Sequence, residues 1–486
     1  RAKTRWVCQQ CGFQASGFLG RCTDCGSWNS MAEERLNDES QNISVLGRAI
    51  PSAGAPRSKP LPLTAIESSE SARMLTGLSG FDEVLGGGLV PGSVVLIAGD
   101  PGIGKSTLLL QVGRQIESEK QVLYIAGEES GHQVRLRAER LLAAGDNILV
   151  NSEQNVASIA LTMMEVVPAV TIIDSIQSVF HPEVMSAPGS VSQVRESAQA
   201  LIATAKEHNI ATILVGHVTK EGAIAGPRVL EHMVDVVLQF EGDRARDLRI
   251  LRGVKNRFGS THEIAVFAMT DKGLKEVDNP SALLLGDRLA SLGRRQAPAG
   301  TAVIAGGDGK RSLLLEVQAL VSNSAFSNVR RVANGWDYNR LLQIIAVLEK
   351  KTGLYLSASD VYVNVVGGLE FSDPSGDLGI SVAIATSLLD RSVDPGLLFL
   401  GEIGLTGEVR PVKSVTQRLK EAARLGFKRA VVPRGCLPLD TNVDGMEVLG
   451  VESLLEALMA AIPGLELSAR GSIKSSGTSS GKSAVK

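Results

Sequence analysis

Short apolar, β-branched runs alternate with stretches of helical periodicity between residues 73 and 275. The runs are SVVLIA (93–98), QVLYIA (121–126), NILV (147–150), VTIID (170–174), ATILVG (211–216) and VDVVLQF (234–240). Apolar residues fall at helical spacing near 107–119, 131–143, 156–166 and 191–208. Strand and helix in alternation predict an α/β domain, a mostly parallel sheet covered by helices. Residues 301–465 form a second mixed α/β region. Its strands include TAVIAG (301–306), LLLEVQALV (313–321), VYVNVV (361–366) and RAVVP (429–433), and its helices lie near 337–351, 378–389 and 414–425.

Periodicity fails in three places. Residues 34–72 carry Pro51, Pro56, Pro60 and Pro62 among Ser, Ala and Gly, which predicts a linker. Residues 276–300 are loop-rich and mark a second boundary. The tail, 466–486, is rich in Ser, Gly and Lys and is expected to be disordered. A chain of 486 residues exceeds one core and fits two or three domains. Apolar residues make up 44% and charged residues 21%, the balance of a soluble globular protein. Net charge is −2, so no global field attracts nucleic acid, and any such contact needs local basic clusters. No apolar run reaches membrane-spanning length, and no membrane partner is expected. The first residue is Arg1 and no signal-peptide pattern follows it. Either the start has been trimmed or a targeting segment has been removed.

The first α/β region opens on a phosphate-binding signature. Gly99, Asp100, Pro101, Gly102, Ile103, Gly104, Lys105, Ser106 and Thr107 spell G-x-x-x-x-G-K-S-T between a strand and a helix. Glycines let backbone N–H groups close around an anion, and the helix start adds partial positive charge. Lys105 is placed to reach the β- and γ-phosphates of ATP, and Ser106 to ligate Mg²⁺. Asp174, at the end of VTIID, is where a carboxylate holds that Mg²⁺ through water. A strand-end Asp alone often only caps a helix; beside a phosphate loop it points to metal. YIAGEES (124–130) sets Glu128 and Glu129 past another strand on the same sheet edge. Glu128 is the first candidate to orient the attacking water and Glu129 the second, although both also suit the start of the next helix. His217 in GHVTKEG (216–222) is positioned to sense the γ-phosphate.

Two further clusters carry chemistry. Four of the five cysteines form Cys8-x-x-Cys11 and Cys22-x-x-Cys25, paired knuckles that predict a Zn²⁺ site over residues 1–33. Two redox pairs are the rival reading, but no βαβ pattern surrounds them. Metal would supply the folding energy of so short a stretch. Cys436 stands alone and reads as a buried thiol. The run 243–259 holds Arg244, Arg246, Arg249, Arg252, Lys255 and Arg257. A solvated strand face explains most such runs. Lys255 and Arg257, alternating before Phe258 and Gly259, can instead aim two cations at one anion: a neighbouring subunit's nucleotide or a DNA phosphate.

Together these pieces resemble the RadA (Sms) family of bacterial and organellar DNA repair proteins. The matching segments are the four-Cys finger with RCTDCGSWN (21–29), TGLSGFDEVLGGG (76–88), GDPGIGKST (99–107), IIDSIQS (172–178), APGSVSQVRE (187–196), GHVTKEGAIAGPRVLEHMVD (216–235) and KNRFG (255–259). The resemblance covers the chain apart from linker and tail. It implies a RecA-like ATPase core in a hexameric ring, with a motor activity on single-stranded DNA that promotes branch migration. Branched DNA and a RecA-type recombinase are the implied partners. It implies that Lys255 and Arg257 act across a subunit boundary, and that 187–195 and 220–228 line the DNA channel. The C-terminal region resembles the proteolytic domain of Lon, a ribosomal-S-five-like fold. There, Asp377 stands where the nucleophilic serine belongs and Thr416 where the general-base lysine belongs. Neither residue supports acyl transfer; Ser375 and Lys413 lie nearby in sequence, and a displaced dyad is disfavoured. Two other function classes stay open: a Lon-like ATP-dependent peptidase, and a nucleotide-switched scaffold that binds proteins, like clock ATPases of the same superfamily.

Overall fold

The computed structural model describes residues 3–8, 13–24, 26, 28, 30–36, 73–117, 119–218, 224–225, 229–242, 247–261, 263–292, 297–306, 312–324, 328–367, 371, 373–439 and 442–465. The chain divides into two units, Arg1–Glu276 and Val277–Lys486.

The first unit begins with a small antiparallel ribbon of β1 (Lys3–Cys8), β2 (Gln14–Ala15) and β3 (Met31–Leu36), in the order β2-β1-β3. Cys8 lies opposite Met31 in register, and both join Cys22 in a small buried cluster. Pairing with β1 carries the ribbon to Leu36, so its last strand occupies the first positions of the expected 34–72 linker. The remaining linker residues, and the tail after 465, lie outside the described residues.

The rest of this unit is one large sheet. Its elements in order are α1 (Ser79–Leu85), β4 (Val94–Gly99), α2 (Lys105–Gln115), β5 (Val122–Ala126), α3 (Gly131–Arg140), β6 (Ile148–Asn151), α4 (Val156–Val166), β7 (Val170–Asp174), α5 (Val191–Glu207), β8 (Ala211–Val218), β9 (Ile224–Ala225), α6 (Val229–Met233), β10 (Val236–Glu241), β11 (Leu248–Asn256), β12 (Ile264–Thr270) and β13 (Gly273–Glu276). The strand order is β13-β12-β11-β10-β4-β8-β7-β5-β6, with β9 pairing β8. From β10 to β6 every pair is parallel; from β10 to β13 every pair is antiparallel. All residues of β4 and β5 are buried, as a strand covered on both faces requires. Alternate side chains feed two cores. Val95 and Ile97 pack with Leu108, Leu109 and Val112 of α2. Val94 and Leu96 pack with Ile159 and Met163 of α4 and Leu201 of α5.

The second unit carries α7 (Pro280–Ala290), β14 (Thr301–Gly306), β15 (Leu313–Asn323), β16 (Arg331–Asn334), α8 (Tyr338–Val347), β17 (Ser359–Val365), α9 (Asp377–Leu389), β18 (Leu397–Phe399), β19 (Glu402–Ile403), β20 (Val409–Arg410), α10 (Val415–Arg424), β21 (Arg429–Pro433), β22 (Glu447–Val451) and α11 (Leu454–Ala461). Its main sheet runs β16-β17-β15-β14-β18-β21-β22, and β19 pairs β20. The expected loop-rich boundary at 276–300 instead contains α7. Asn279 caps it, accepting from Ala282 N at 3.0 Å, and Pro280 starts it. Non-helical dihedrals at Gly286 break its periodicity, which is why the apolar pattern hides it.

Buried ion pairs hold this unit's core. Asp377, fully buried at the start of α9, accepts from Arg340 Nε at 2.6 Å and from Ile403 N at 3.0 Å. Arg418, 1% exposed, meets Asp373 at 2.6 Å and donates to Ala305 O at 2.9 Å and to Ser375. Removing Asp377 leaves Arg340 with only the looser contact to Glu402, at 3.5 Å, to answer its charge. Asp377→Ala is therefore expected to destabilise the chain by about 3 kcal/mol, read as a lowered unfolding midpoint. A midpoint within error of the parent would show that Arg340 needs no partner.

Candidate active site

Sheet order creates the site. The neighbours β4, β8, β7 and β5 point their C-terminal ends to one edge. Gly99 lies opposite His217 and Ala126 opposite Asp174. Four segments distant in sequence therefore meet: the 99–107 loop, Glu128 with Glu129, Asp174, and His217.

The loop is shaped by glycines at three places. Gly102 and Gly104 have φ of 75° and 115°, in the left-handed region. Gly99 passes so near β10 that a Cβ there would sit 2.4 Å from Phe240 O. Buried Arg249 of β11 donates from Nε to Ile103 O at 3.0 Å and fixes the loop from below. Lys105 is only 4% exposed. Its ammonium donates to Gly99 O at 2.7 Å and Asp100 O at 2.9 Å, and lies 3.3 Å from His217 Nδ1. Burial pulls Lys105 down to about 8, against the charges of Asp174, Asp100 and Glu128.

His217 links this lysine to the acid. Its Nε2 is 3.5 Å from Glu128 Oε1. A lysine can only donate, so Nδ1 accepts and Nε2 carries the proton toward Glu128. Ser175 also donates to Glu128. Glu128 is held down to about 2, first by the His217 hydrogen bond and also by Ser175, against its burial. Glu129 is committed elsewhere, paired with Arg137 of α3. Tyr124 was not anticipated among the site residues: its hydroxyl donates to Asp174 Oδ2. Burial, together with the Asp174 charge, pushes the phenol well above its ordinary value. Ser106, Tyr124, Glu128, Glu129 and Asp174 line one open pocket. Its donors are hard oxygens, the set that Mg²⁺ takes.

The basic run separates by position. Arg244 and Arg246 lie outside the described residues. Arg249 supports the loop, and Arg252 pairs with Glu241 at 2.6 Å. Lys255 donates to Glu231 O at 2.7 Å and Val234 O at 2.8 Å, and burial with the nearby Arg257 lowers it. Arg257 is half exposed and meets buried Asp235 at 3.1 Å. The turn after it is seated on glycines: a Cβ on Gly259 would fall 2.8 Å from Gly86 Cα. Asn256 anchors it, donating to Val84 O at 3.1 Å.

Of the 187–195 segment, Ser190 caps α5 and Gln193 is buried, its Nε2 donating to Val184 O at 2.7 Å and Ser186 O at 3.0 Å. All but two residues of 220–228 lie outside the described residues. In the ribbon, Cys8 and Cys22 are buried, while Cys11 and Cys25 lie outside the described residues. Cys436 is half-buried rather than buried. In the second unit, Ser375 gives its proton to Ala305 O at 2.9 Å and Lys413 is exposed.

A family model described as AAA domain matches residues 65–223. One described as Rubredoxin metal binding domain matches 6–33, and one described as Subunit ChlI of Mg-chelatase matches 340–435. DNA repair protein RadA of Bacillus subtilis (strain 168) is 48% identical over 465 residues, covering 96% of this chain and 100% of that protein. The protein of the same name from Listeria monocytogenes is 48% identical over 466 residues, covering 95% and 98%. Among solved structures, the RadB recombinase aligns at 22% identity and a TM-score of 0.34, covering 42% of this chain and 100% of that one. No helix among the described residues is long and apolar enough to cross a membrane. With near-half identity over at least 95% of this chain and of each relative, the chain belongs to the family of DNA repair protein RadA.

Proposed function

We propose that this chain is an ATP-driven motor that moves on single-stranded DNA, promotes branch migration of recombination intermediates and works as a hexameric ring beside a RecA-type recombinase. The observation that carries the reading is the buried Lys105 ammonium, seated on the loop carbonyls and linked through His217 to an ionised Glu128. A lysine desolvated in this way gains from an incoming phosphate anion. Loop N–H groups and Lys105 bind the phosphates. Glu128, ionised at neutral pH, orients the attacking water. His217 contacts both Lys105 and Glu128, which suits a sensor of the γ-phosphate. Bound at Ser106 and Asp174, Mg²⁺ would neutralise phosphate charge. Zn²⁺ would be held by Cys8, Cys11, Cys22 and Cys25; the two described thiols are buried together, as ligands of one ion require.

Arg257 is assigned to a neighbouring subunit's nucleotide. Asp235, its partner, bonds Val94 N at the start of β4, while the phosphate loop begins at the other end of that strand. Five residues of strand separate the two by about 17 Å, beyond the reach of an arginine side chain. That separation supports action in trans. Lys255, two residues before Arg257 and bound to the end of α6, positions the same turn. The Lon-like domain is assigned a scaffold role without peptidase chemistry. Asp377 is locked to Arg340, Ser375 serves Arg418 and a carbonyl, and Thr416 is no base. The chain is placed in the bacterial cytoplasm or an organelle matrix.

Three outcomes test these assignments. Lys105→Ala is expected to lower DNA-stimulated ATP hydrolysis by roughly 10²-fold or more; near-parental turnover would remove the loop from the mechanism. ATP binding is expected to take up a proton at alkaline pH. Lys105 falls to about 8 in the free protein, and bound phosphate restores its charge. At pH 8 about half a proton should therefore enter per ATP, measured by calorimetry in buffers of different ionisation enthalpy, and affinity should fall as pH rises further. Arg257→Ala is expected to keep nucleotide binding and lose hydrolysis, because a cation from the next subunit acts on transition-state charge. Mixed rings of Lys105→Ala and Arg257→Ala chains should recover partial activity. No recovery at any mixing ratio would refute the trans assignment.

A further inference from the structure

Tyr124 stands mid-strand in β5, where all five residues are buried, and its ring belongs to the core layer that includes Leu108, Leu109 and Ile172. A phenol placed there needs a polar partner. It does not turn to a backbone carbonyl of the sheet. Its hydroxyl donates to Asp174 Oδ2, and the charge of Arg137 and the nearby Ser106 also act on it. All three residues line one pocket.

We propose that Tyr124 is a positioning residue for the divalent cation of the ATPase reaction, holding Ser106 and Asp174 in a chain of one polarity. The inference rests on the ATPase reading above. A serine oxygen that faces a cation must turn its single proton away and needs an acceptor on that side. The phenol oxygen is that acceptor. Its own proton then has one place to go, the Asp174 carboxylate. The opposite polarity is closed, because the single proton of the phenol already goes to Asp174. The chain thus leaves a Ser106 lone pair and the second Asp174 oxygen to the pocket that both residues line. Outer groups of this kind fix the orientation of metal ligands, and their loss typically lowers metal affinity about 10–100-fold.

Tyr124→Phe in the full chain keeps the ring and removes only the hydroxyl. The Mg²⁺ concentration for half-maximal hydrolysis at saturating ATP is expected to rise about tenfold. Binding of Mn²⁺ in the presence of ADP, followed by electron paramagnetic resonance without turnover, should weaken by a similar factor. ADP binding in EDTA should stay within about twofold of the parent, since the phosphate contacts are untouched. Unchanged Mg²⁺ dependence and unchanged Mn²⁺ binding, whatever happens to the unfolding midpoint or kcat, would make Tyr124 a packing residue and overturn the proposal. Collapse of ADP binding in EDTA would also overturn it, by showing that the hydroxyl supports the loop and not the cation. A parent chain with no metal-dependent nucleotide binding would instead overturn the ATPase reading beneath it.

Discussion

The site depends on one buried charge. Lys105 sits almost without solvent at the edge of a sheet whose two neighbouring layers are hydrocarbon. Taking an ammonium out of water is costly unless dipoles and opposite charges replace the lost hydration. Two loop carbonyls and His217 do part of this, and Asp100, Asp174 and Glu128 act on it from further off. The replacement is incomplete, since burial still wins and lowers the lysine. Each acid must therefore lie at this sheet edge. Only the parallel order β4-β8-β7-β5 puts their strand ends side by side. Fold and chemistry meet in that constraint: a shuffled strand order would leave the ammonium uncompensated and the pocket without oxygen donors.

The same constraint decides what the sequence makes legible. The loop, Asp174, Glu128 and His217 each follow an apolar run, and strand ends of a parallel sheet converge on one edge. They could be found from order and spacing. Choosing between Glu128 and Glu129 could not, because adjacent residues differ only in direction; the ion pair with Arg137 settles where Glu129 points. Tyr124 was hidden for a different reason. An aromatic inside an apolar strand reads as core, and by its ring it is core; only its hydroxyl belongs to the site. Arg249 was hidden in the opposite way. Among so many basic neighbours it reads as surface, yet it is buried and holds the phosphate loop by a carbonyl. Its signal was the spacing along β11: Ile250 and Leu251, which follow it, are buried as well.

The second unit answers the problem of buried charge in another way. Its core helix α9 begins with Asp377, a buried acid that must be neutralised. Burial pushes that acid up, while hydrogen bonds from Arg340 and Ile403 draw it back. Arg418, nearby in the same fold, draws Ser375 and Asp373 into a second closed set. A hydroxyl used in this way gives its proton to a carbonyl and accepts from a guanidinium, so no base can take that proton without breaking the core. These side chains are spent on cohesion. The two units thus use buried ions to opposite ends. In the first, the charge is left under-compensated and open to a phosphate. In the second, Asp377 and Arg418 each meet an opposite charge within the chain, which spends them on holding the core.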